Sequence, residues 1–483
     1  MTESRPLNPE HSVALDRASE RVGGVGDGVL PDAEYLVLSS RLIPGLDGGY
    51  TIATLARARQ LAGAGVGDGA GPQLLTFDPG TLEAHAEHRA TFVERGALTD
   101  PSRLRNLFDE ARADGGGAAD WLLAAADPAL TANDGVEYRT IADAEGRPFV
   151  ALPVIAGDPD WHLSTEPVLV HGADGTVAGG LPGFGGIYRA WLQHIAAGLG
   201  ERPVVVICES RQLGELIVGW SDPRVRILHT IHTIHLEAPY TADAPMNALW
   251  TRWLGLADRF DAVIWPTGTQ RDDVVARFGS AAQHEVVPNP IPAVARRDDL
   301  REPGLVVALG RLAPGKRVDH AIRAFLAAAV PGTRLEIWGG GPEQDALAAL
   351  IDELGAGDRV VLAGYTDDPG RVLDRASVVV TATAFEGQPL SIVEALLHGA
   401  PVVSYDARYG IRDVLEQGGG VLVPYGDEAA LADALRRVLG DESLRARLSA
   451  EAPEVAAAWS PERSLAALTA VISDAVARPS RRA

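Results

Sequence analysis

Two carboxylates at a spacing of eight residues, Glu386 and Glu394, carry the most informative chemistry in the chain. They lie in residues 377–405, SVVVTATAFEGQPLSIVEALLHGAPVVSY. The apolar, β-branched runs 378–381 and 402–405 read as strands. Between them a helix is predicted over 390–398, entered through Pro389 and stopped by Gly399. Glu386 then sits in the loop at the carboxyl edge of a parallel sheet, and Glu394 one turn into the helix. The N–H groups of Leu390 and Ser391, at the helix N-terminus, are free to meet an anion. A phosphate flanked by a sugar and a ribose would use all of these groups. Taken alone, the pair is better explained as two solvated carboxylates on an ordinary α/β unit, and the surrounding chain reverses that balance.

The rest of the chain must supply the elements that hold such a site. Strand and helix alternate through the second half: strand 305–309 ending at Gly310-Arg311, Lys316 in the loop beyond it, helix 318–328, strand 335–338, the turn Gly339-Gly340-Gly341-Pro342-Glu343, and strand 360–362 before Gly364-Tyr365. That rhythm predicts a doubly wound parallel domain over 293–455. The first half starts the same way. A polar, Gly-rich stretch over 1–30 reads as a disordered tail. Strand 35–40 then leads through Asp47-Gly48-Gly49 into a helix, a layout suited to close backbone approach to a phosphate or sugar. After strand 74–77 the alternation breaks, and hairpin-spaced strands with turns at Glu145-Gly146 and Asp174-Gly175 predict a β-rich insert over about residues 80–180. Helices and strands resume and close at residue 292, where Pro288, Pro290 and Pro292 make a stiff hinge. A last helix, capped by Ser460 and Pro461, carries the apolar stripe Leu465, Leu468, Ile472 and Val476.

Composition limits what such a molecule binds. At 483 residues, with 46% hydrophobic and 22% charged residues, the chain can bury two or three domain cores. Its formal charge of −22 argues against nucleic acid and allows at most peripheral contact with an anionic membrane. One cysteine, Cys208, excludes an internal disulfide and a cysteine zinc site. Without a signal-peptide layout or an apolar run of membrane-spanning length, a cytoplasmic protein is expected. The segment Asp158-Pro159-Asp160-Trp161 offers a D-x-D, but it lies in the insert and reads as a turn. His229, His232 and His235 repeat at spacing three after a β-branched strand, where helical spacing does not apply, so a metal site is not expected.

The motifs LGRL with GK, L-x-I-x-GGGPE, V-x-L-x-GY and FEGQPLSIVEAL through PVVSYD resemble, as a set, the donor half of retaining GT-B glycosyltransferases of family 4. The tail of the set, with His232 and His235 after a strand and the β-rich insert, resembles the TarM-like wall teichoic acid and serine-rich adhesin subgroup. The chain departs from that subgroup at Pro389, at Ile411 and in the loop Cys208-Glu209-Ser210.

The resemblance implies two Rossmann-like domains facing a cleft, with residues 456–483 crossing back to the first. It implies Arg311 and Lys316 on the donor pyrophosphate, with Glu394 on the ribose. Glu386 and the loop Gly387-Gln388-Pro389 would hold the donor sugar, which His235 would face from the other domain. His232, Gly48 and Gly49 would line the substrate cleft, and main chain near Tyr365 would read the base; Tyr365 could equally be a core aromatic. Implied too are a UDP-sugar donor, no cofactor or metal because Arg311 and Lys316 supply the charge, and a polymeric or protein acceptor. The insert would mediate self-association or hold the acceptor. A catalytically silent partner subunit is the alternative from another class.

Overall fold

The computed structural model describes residues 29–46, 49–246, 248–279 and 282–482. The expected tail up to residue 28, together with Asp47 and Gly48, lies outside the described residues.

β1 (Glu34–Ser39) is a buried apolar strand, and α1 (Gly49–Gly63) follows it. β2 (Gln73–Thr76), α2 (Leu82–Glu94) and β3 (Leu104–Asn106) continue the alternation. β3 pairs in parallel with β2, so the expected break after residue 77 comes one unit later. The β-rich insert is an antiparallel sheet of β4 (Tyr138–Ala142), β5 (Pro148–Pro153), β6 (Val168–His171) and β7 (Val177–Leu181). Residues 80–106, assigned to the insert from sequence, instead belong to the main sheet. β3 is short and polar at its centre, Leu-Arg-Asn, which hides it from a pattern reading.

The chain returns through α3 (Gly183–Ala197), β8 (Val204–Cys208), α4 (Arg211–Ile217), β9 (Val225–Thr230), α5 (Ala248–Leu254), β10 (Ala262–Trp265), α6 (Gly268–Phe278) and β11 (His284–Val286). Among the described residues the first domain's sheet has seven strands, ordered β11-β10-β9-β8-β1-β2-β3. The insert shares its core: Phe149, Val150, Val168 and Val170 pack in one cluster with Leu36, Leu38 and Leu75.

The second domain is a six-stranded parallel sheet, β14-β13-β12-β15-β16-β17, built from β12 (Leu305–Leu309), β13 (Arg334–Trp338), β14 (Val360–Gly364), β15 (Val378–Thr381), β16 (Val402–Asp406) and β17 (Gly420–Pro424). Its strands are short β-branched runs, buried where helices cover both faces. α7 (Val318–Ala328) follows β12, α8 (Leu390–Leu397) lies between β15 and β16, and α9 (Ile411–Leu415) follows β16. α10 (Pro461–Ala477) begins where Ser460 Oγ accepts from the Arg463 N–H; of the predicted stripe Leu468 and Ile472 join the core of the first domain with Val471, Val476 packs at its edge, and Leu465 stays outside it. Among the described residues no helix is long and apolar enough to cross a membrane.

Candidate active site

Arg311 is placed by backbone. The Gly310 N–H donates to Trp338 O at 3.0 Å, Leu312 N–H to Gly340 O at 2.9 Å, and Glu343 N–H to Leu312 O at 3.0 Å. A Cβ at Gly339 would lie 1.9 Å from Gly310 O, and one at Gly341 2.2 Å from Leu312 O, so glycine is required for the two loops to meet. The sequence shows the triple glycine as a turn; the structure makes it the brace of the arginine loop.

Lys316 is tied to the carboxylate loop in the same manner. The Ala384 N–H donates to Gly315 O at 2.8 Å and Thr383 Oγ1 to the same oxygen at 3.2 Å. Lys316 Nζ donates to Glu386 Oε1. Arg311, Lys316, Glu386 and Ser391 line one narrow crevice at the carboxyl edge of the second sheet. The structure brings these four residues to one place.

The helix end behaves differently from expectation. Leu390 N–H is consumed by Gln388 O at 2.9 Å, and the Ile392 and Val393 N–H groups both reach Pro389 O, at 3.0 and 3.2 Å. Among the described residues only Ser391 N–H is left without a partner in that turn, so Leu390 contributes no free donor. Glu394, one turn on, is half-buried, and its carboxylate accepts no hydrogen bond among the described residues. Burial pushes its carboxyl up to about 7. Tyr365 is 69% exposed beyond β14, which removes the core-aromatic alternative.

Gln388 is not open to a substrate. Its Oε1 accepts from Asn289 N–H at 2.7 Å and its Nε2 donates to Asn289 O at 3.1 Å, a two-point clamp on the segment joining the domains. Gly387 presses on the other domain: a Cβ there would lie 3.0 Å from His232 O. Gly49 opens α1 opposite the same helix end, its Cβ position 3.6 Å from Leu390 Cδ1. Pro389 packs against Gly410, whose added Cβ would meet the Pro389 ring at 2.9 Å.

The first domain contributes a cavity of about 300 Å³ lined by Ser40, Tyr50, Glu209, Arg211, His232 and Trp250 among others. His232 Nε2 hydrogen-bonds Glu209 Oε2 at 2.6 Å. Glu209 accepts from Arg57 Nε at 2.8 Å, both side chains being fully buried. Burial disfavours the Glu209 anion, but the Arg57 charge and the His232 hydrogen bond outweigh it and hold the carboxyl at about 2. Neither Arg57 nor Glu209 was a candidate from sequence. Nothing in the alternation marks an arginine on α1, and Glu209 showed only as a departure in its loop.

His235 does not face the crevice. It is fully buried, stacked on Tyr409 of the second domain at 5.7 Å between ring centroids, and neither ring nitrogen has a hydrogen-bond partner among the described residues. Burial pushes it down to about 4, so it is neutral at physiological pH. It is part of the contact between the domains, where an apolar ring packs better than a charged one. His229 is sandwiched by Trp253 and Phe260 at 5.0 and 4.9 Å. The three histidines thus have three separate surroundings. Asp160 of the D-x-D is held by Arg252 at 2.7 Å, in the expected turn.

Residues 296–455 match the family model of the glycosyl transferases group 1. The S. aureus TarM structure (the G117R mutant with fondaparinux, α-GlcNAc-glycerol and UDP) superposes with a TM-score of 0.71 at 17% identity, covering 91% of this chain and 99% of that one. The fold is GT-B. Among curated proteins, the Streptomyces coelicolor exopolysaccharide phosphotransferase SCO2592 is 36% identical over 193 residues, 39% of this chain and 20% of that protein. The Bacillus subtilis poly(glycerol-phosphate) alpha-glucosyltransferase is 31% identical over 209 residues, 41% of this chain and 31% of that protein. The chain therefore spans less than a third of the length of these two relatives.

Proposed function

We propose that this GT-B protein is a cytoplasmic retaining glycosyltransferase. It moves a hexose or N-acetylhexosamine from a nucleotide sugar, UDP-linked, to a hydroxyl of a cell-envelope polymer or protein. The observation that carries the reading is the convergence of Arg311, Lys316, Glu386 and Ser391 on one crevice, with Glu394 half-buried one turn behind. Arg311 and Lys316 supply a planar fork and a mobile point charge for the departing diphosphate. Ser391 N–H adds the positive end of α8. Glu394 accepts from ribose hydroxyls and Glu386 from sugar hydroxyls. The bond from the anomeric carbon to the phosphate oxygen breaks on the face where the acceptor oxygen bonds, and the acceptor proton passes to the leaving phosphate. Protein groups then act chiefly by positioning and by stabilising the leaving charge. TarM in complex with UDP and the relative named for poly(glycerol-phosphate) support this donor and acceptor class.

The test is UDP release from UDP-glucose and UDP-GlcNAc, with and without acceptor polymer. Arg311→Ala and Lys316→Ala should each lower turnover by about 10²-fold or more, the usual loss for one preorganised charge contact. Near-wild-type rates in both variants would discard the site. Binding of UDP with neither hydrolysis nor transfer would turn the reading into a silent partner subunit. Because Arg311 and Lys316 supply the charge, activity should persist in excess EDTA, and rescue of a chelated, inactive enzyme by Mn²⁺ or Mg²⁺ would contradict this.

A further inference from the structure

One buried polar chain runs from the first-domain cavity, through the hinge, to the carboxylate loop of the second domain. It begins at His232, which lines the cavity, and passes to Glu209 at 2.6 Å. Glu209 is held by Arg57 Nε at 2.8 Å, while Arg57 Nη2 donates to Asn289 Oδ1 at 3.0 Å. Asn289 main chain then exchanges two hydrogen bonds with Gln388, two residues beyond Glu386. Relative exposures are 0% for Arg57, 2% for Glu209, 5% for Asn289 and 8% for Gln388, so water competes for almost none of these bonds. The two ends also meet directly, since Gly387 packs on the His232 carbonyl.

A buried arginine is costly unless its charge is matched, and here one guanidinium grips a carboxylate and a hinge amide at once. Glu209 accepts the Nε2 proton of His232, fixing the tautomer and leaving Nδ1, which has no hydrogen-bond partner among the described residues. We propose that Arg57 is a positioning residue for the transfer step. It orients His232 toward the acceptor hydroxyl through Glu209, while its bond to Asn289 anchors the guanidinium against the hinge. The assignment rests on the glycosyltransferase reading.

The test separates three measurements on the full-length protein: UDP affinity, UDP-sugar hydrolysis without acceptor, and transfer to acceptor. Glu209→Gln and Arg57→Gln are expected to cut transfer by about tenfold or more, as loss of an orienting partner commonly does. UDP affinity and hydrolysis should stay within about threefold, because the donor's phosphate and ribose contacts are elsewhere. In a double-mutant cycle Arg57→Gln should add little to the loss caused by His232→Ala, since groups acting as a unit are not additive. Arg57→Lys guards against misfolding of the Gln variant: one ammonium can pair with Glu209 but cannot also bridge to Asn289, so it should restore part of the transfer rate. Additive losses in the cycle, or parallel losses of UDP affinity, hydrolysis and transfer, would overturn the positioning role while leaving the glycosyltransferase reading intact. A wild-type chain that binds no UDP-sugar would remove both.

Discussion

Glu394, the proposed ribose contact, shows how a residue placed for binding can weaken the protein that carries it. Burial alone raises its carboxyl from an ordinary 4.5 to about 7. The folded state therefore holds this proton more tightly than the unfolded chain, so the contribution to stability is complete below 4.5. It is lost as pH rises through about 7. In the absence of nucleotide, Glu394→Gln should raise Tm at pH 8 and leave it nearly unchanged at pH 4.5, while weakening UDP binding. Calorimetry across that pH range checks this; a Tm gain independent of pH would rule out the buried carboxylate as its source. That Arg311, Lys316, Glu386 and Ser391 share one crevice was legible from sequence because all four follow strand ends, where a parallel sheet opens. His235, Gln388 and the Leu390 N–H were misplaced for one reason. Spacing along a chain gives the neighbourhood of a group, whereas its partner from a distant segment (Tyr409, Asn289, the Gln388 carbonyl) decides whether it is free.

At the scale of elements, the insert is fastened to the wall of the first-domain cavity. His162 Nε2 meets Glu215 Oε2 at 2.8 Å, and Arg252 of α5 bridges Glu215 and Asp160, at 3.1 and 2.7 Å. Glu215 stands one turn from Arg211 on α4, and Arg211 lines the cavity beside Trp250. The Glu215 side chain is 1% exposed, so Glu215→Ala leaves the buried His162 ring without its partner, takes one of two carboxylates from Arg252, and should cost about 1–3 kcal/mol. Asp160 is a third exposed and solvent screens its pair with Arg252, so Asp160→Ala should cost about 1 kcal/mol or less. Urea unfolding of both variants checks the ranking, and similar losses would show that the two contacts share one environment. The strands of the insert were readable as hairpins because turn dipeptides separate apolar runs. Its attachment was not, because it depends on a histidine and two acids that look like surface residues in one dimension.

At the scale of the molecule, the chain order and the domain order disagree. α10 follows the second domain in sequence but belongs to the first. Ser464 Oγ donates to Pro288 O at 2.7 Å and Arg226 Nε to Ala475 O at 2.9 Å, while Leu468 and Ile472 are fully buried beside Leu55, Val205 and Leu228. Arg482 and Asp261, both side chains almost wholly buried, pair at 2.7 Å beyond the helix. The apolar stripe was legible from its spacing, because a helix with one such face must bury it. Ile472→Ala removes side-chain packing from the first domain alone and should cost about 2–5 kcal/mol. Its effect should appear in hydrogen exchange as faster amides in α1 and β9, with β12 and β15 unchanged. Saturating UDP should do the converse, slowing exchange around residues 311–316 and 386–394 because ligand binding stabilises the state that binds. Faster exchange in β12 and β15 on Ile472→Ala, or protection of α1 and β9 by UDP comparable to that of the donor loops, would mean that the two domains unfold as one unit. The segment 288–292 and the Asn289–Gln388 clamp would then transmit stability between them, rather than only setting their geometry.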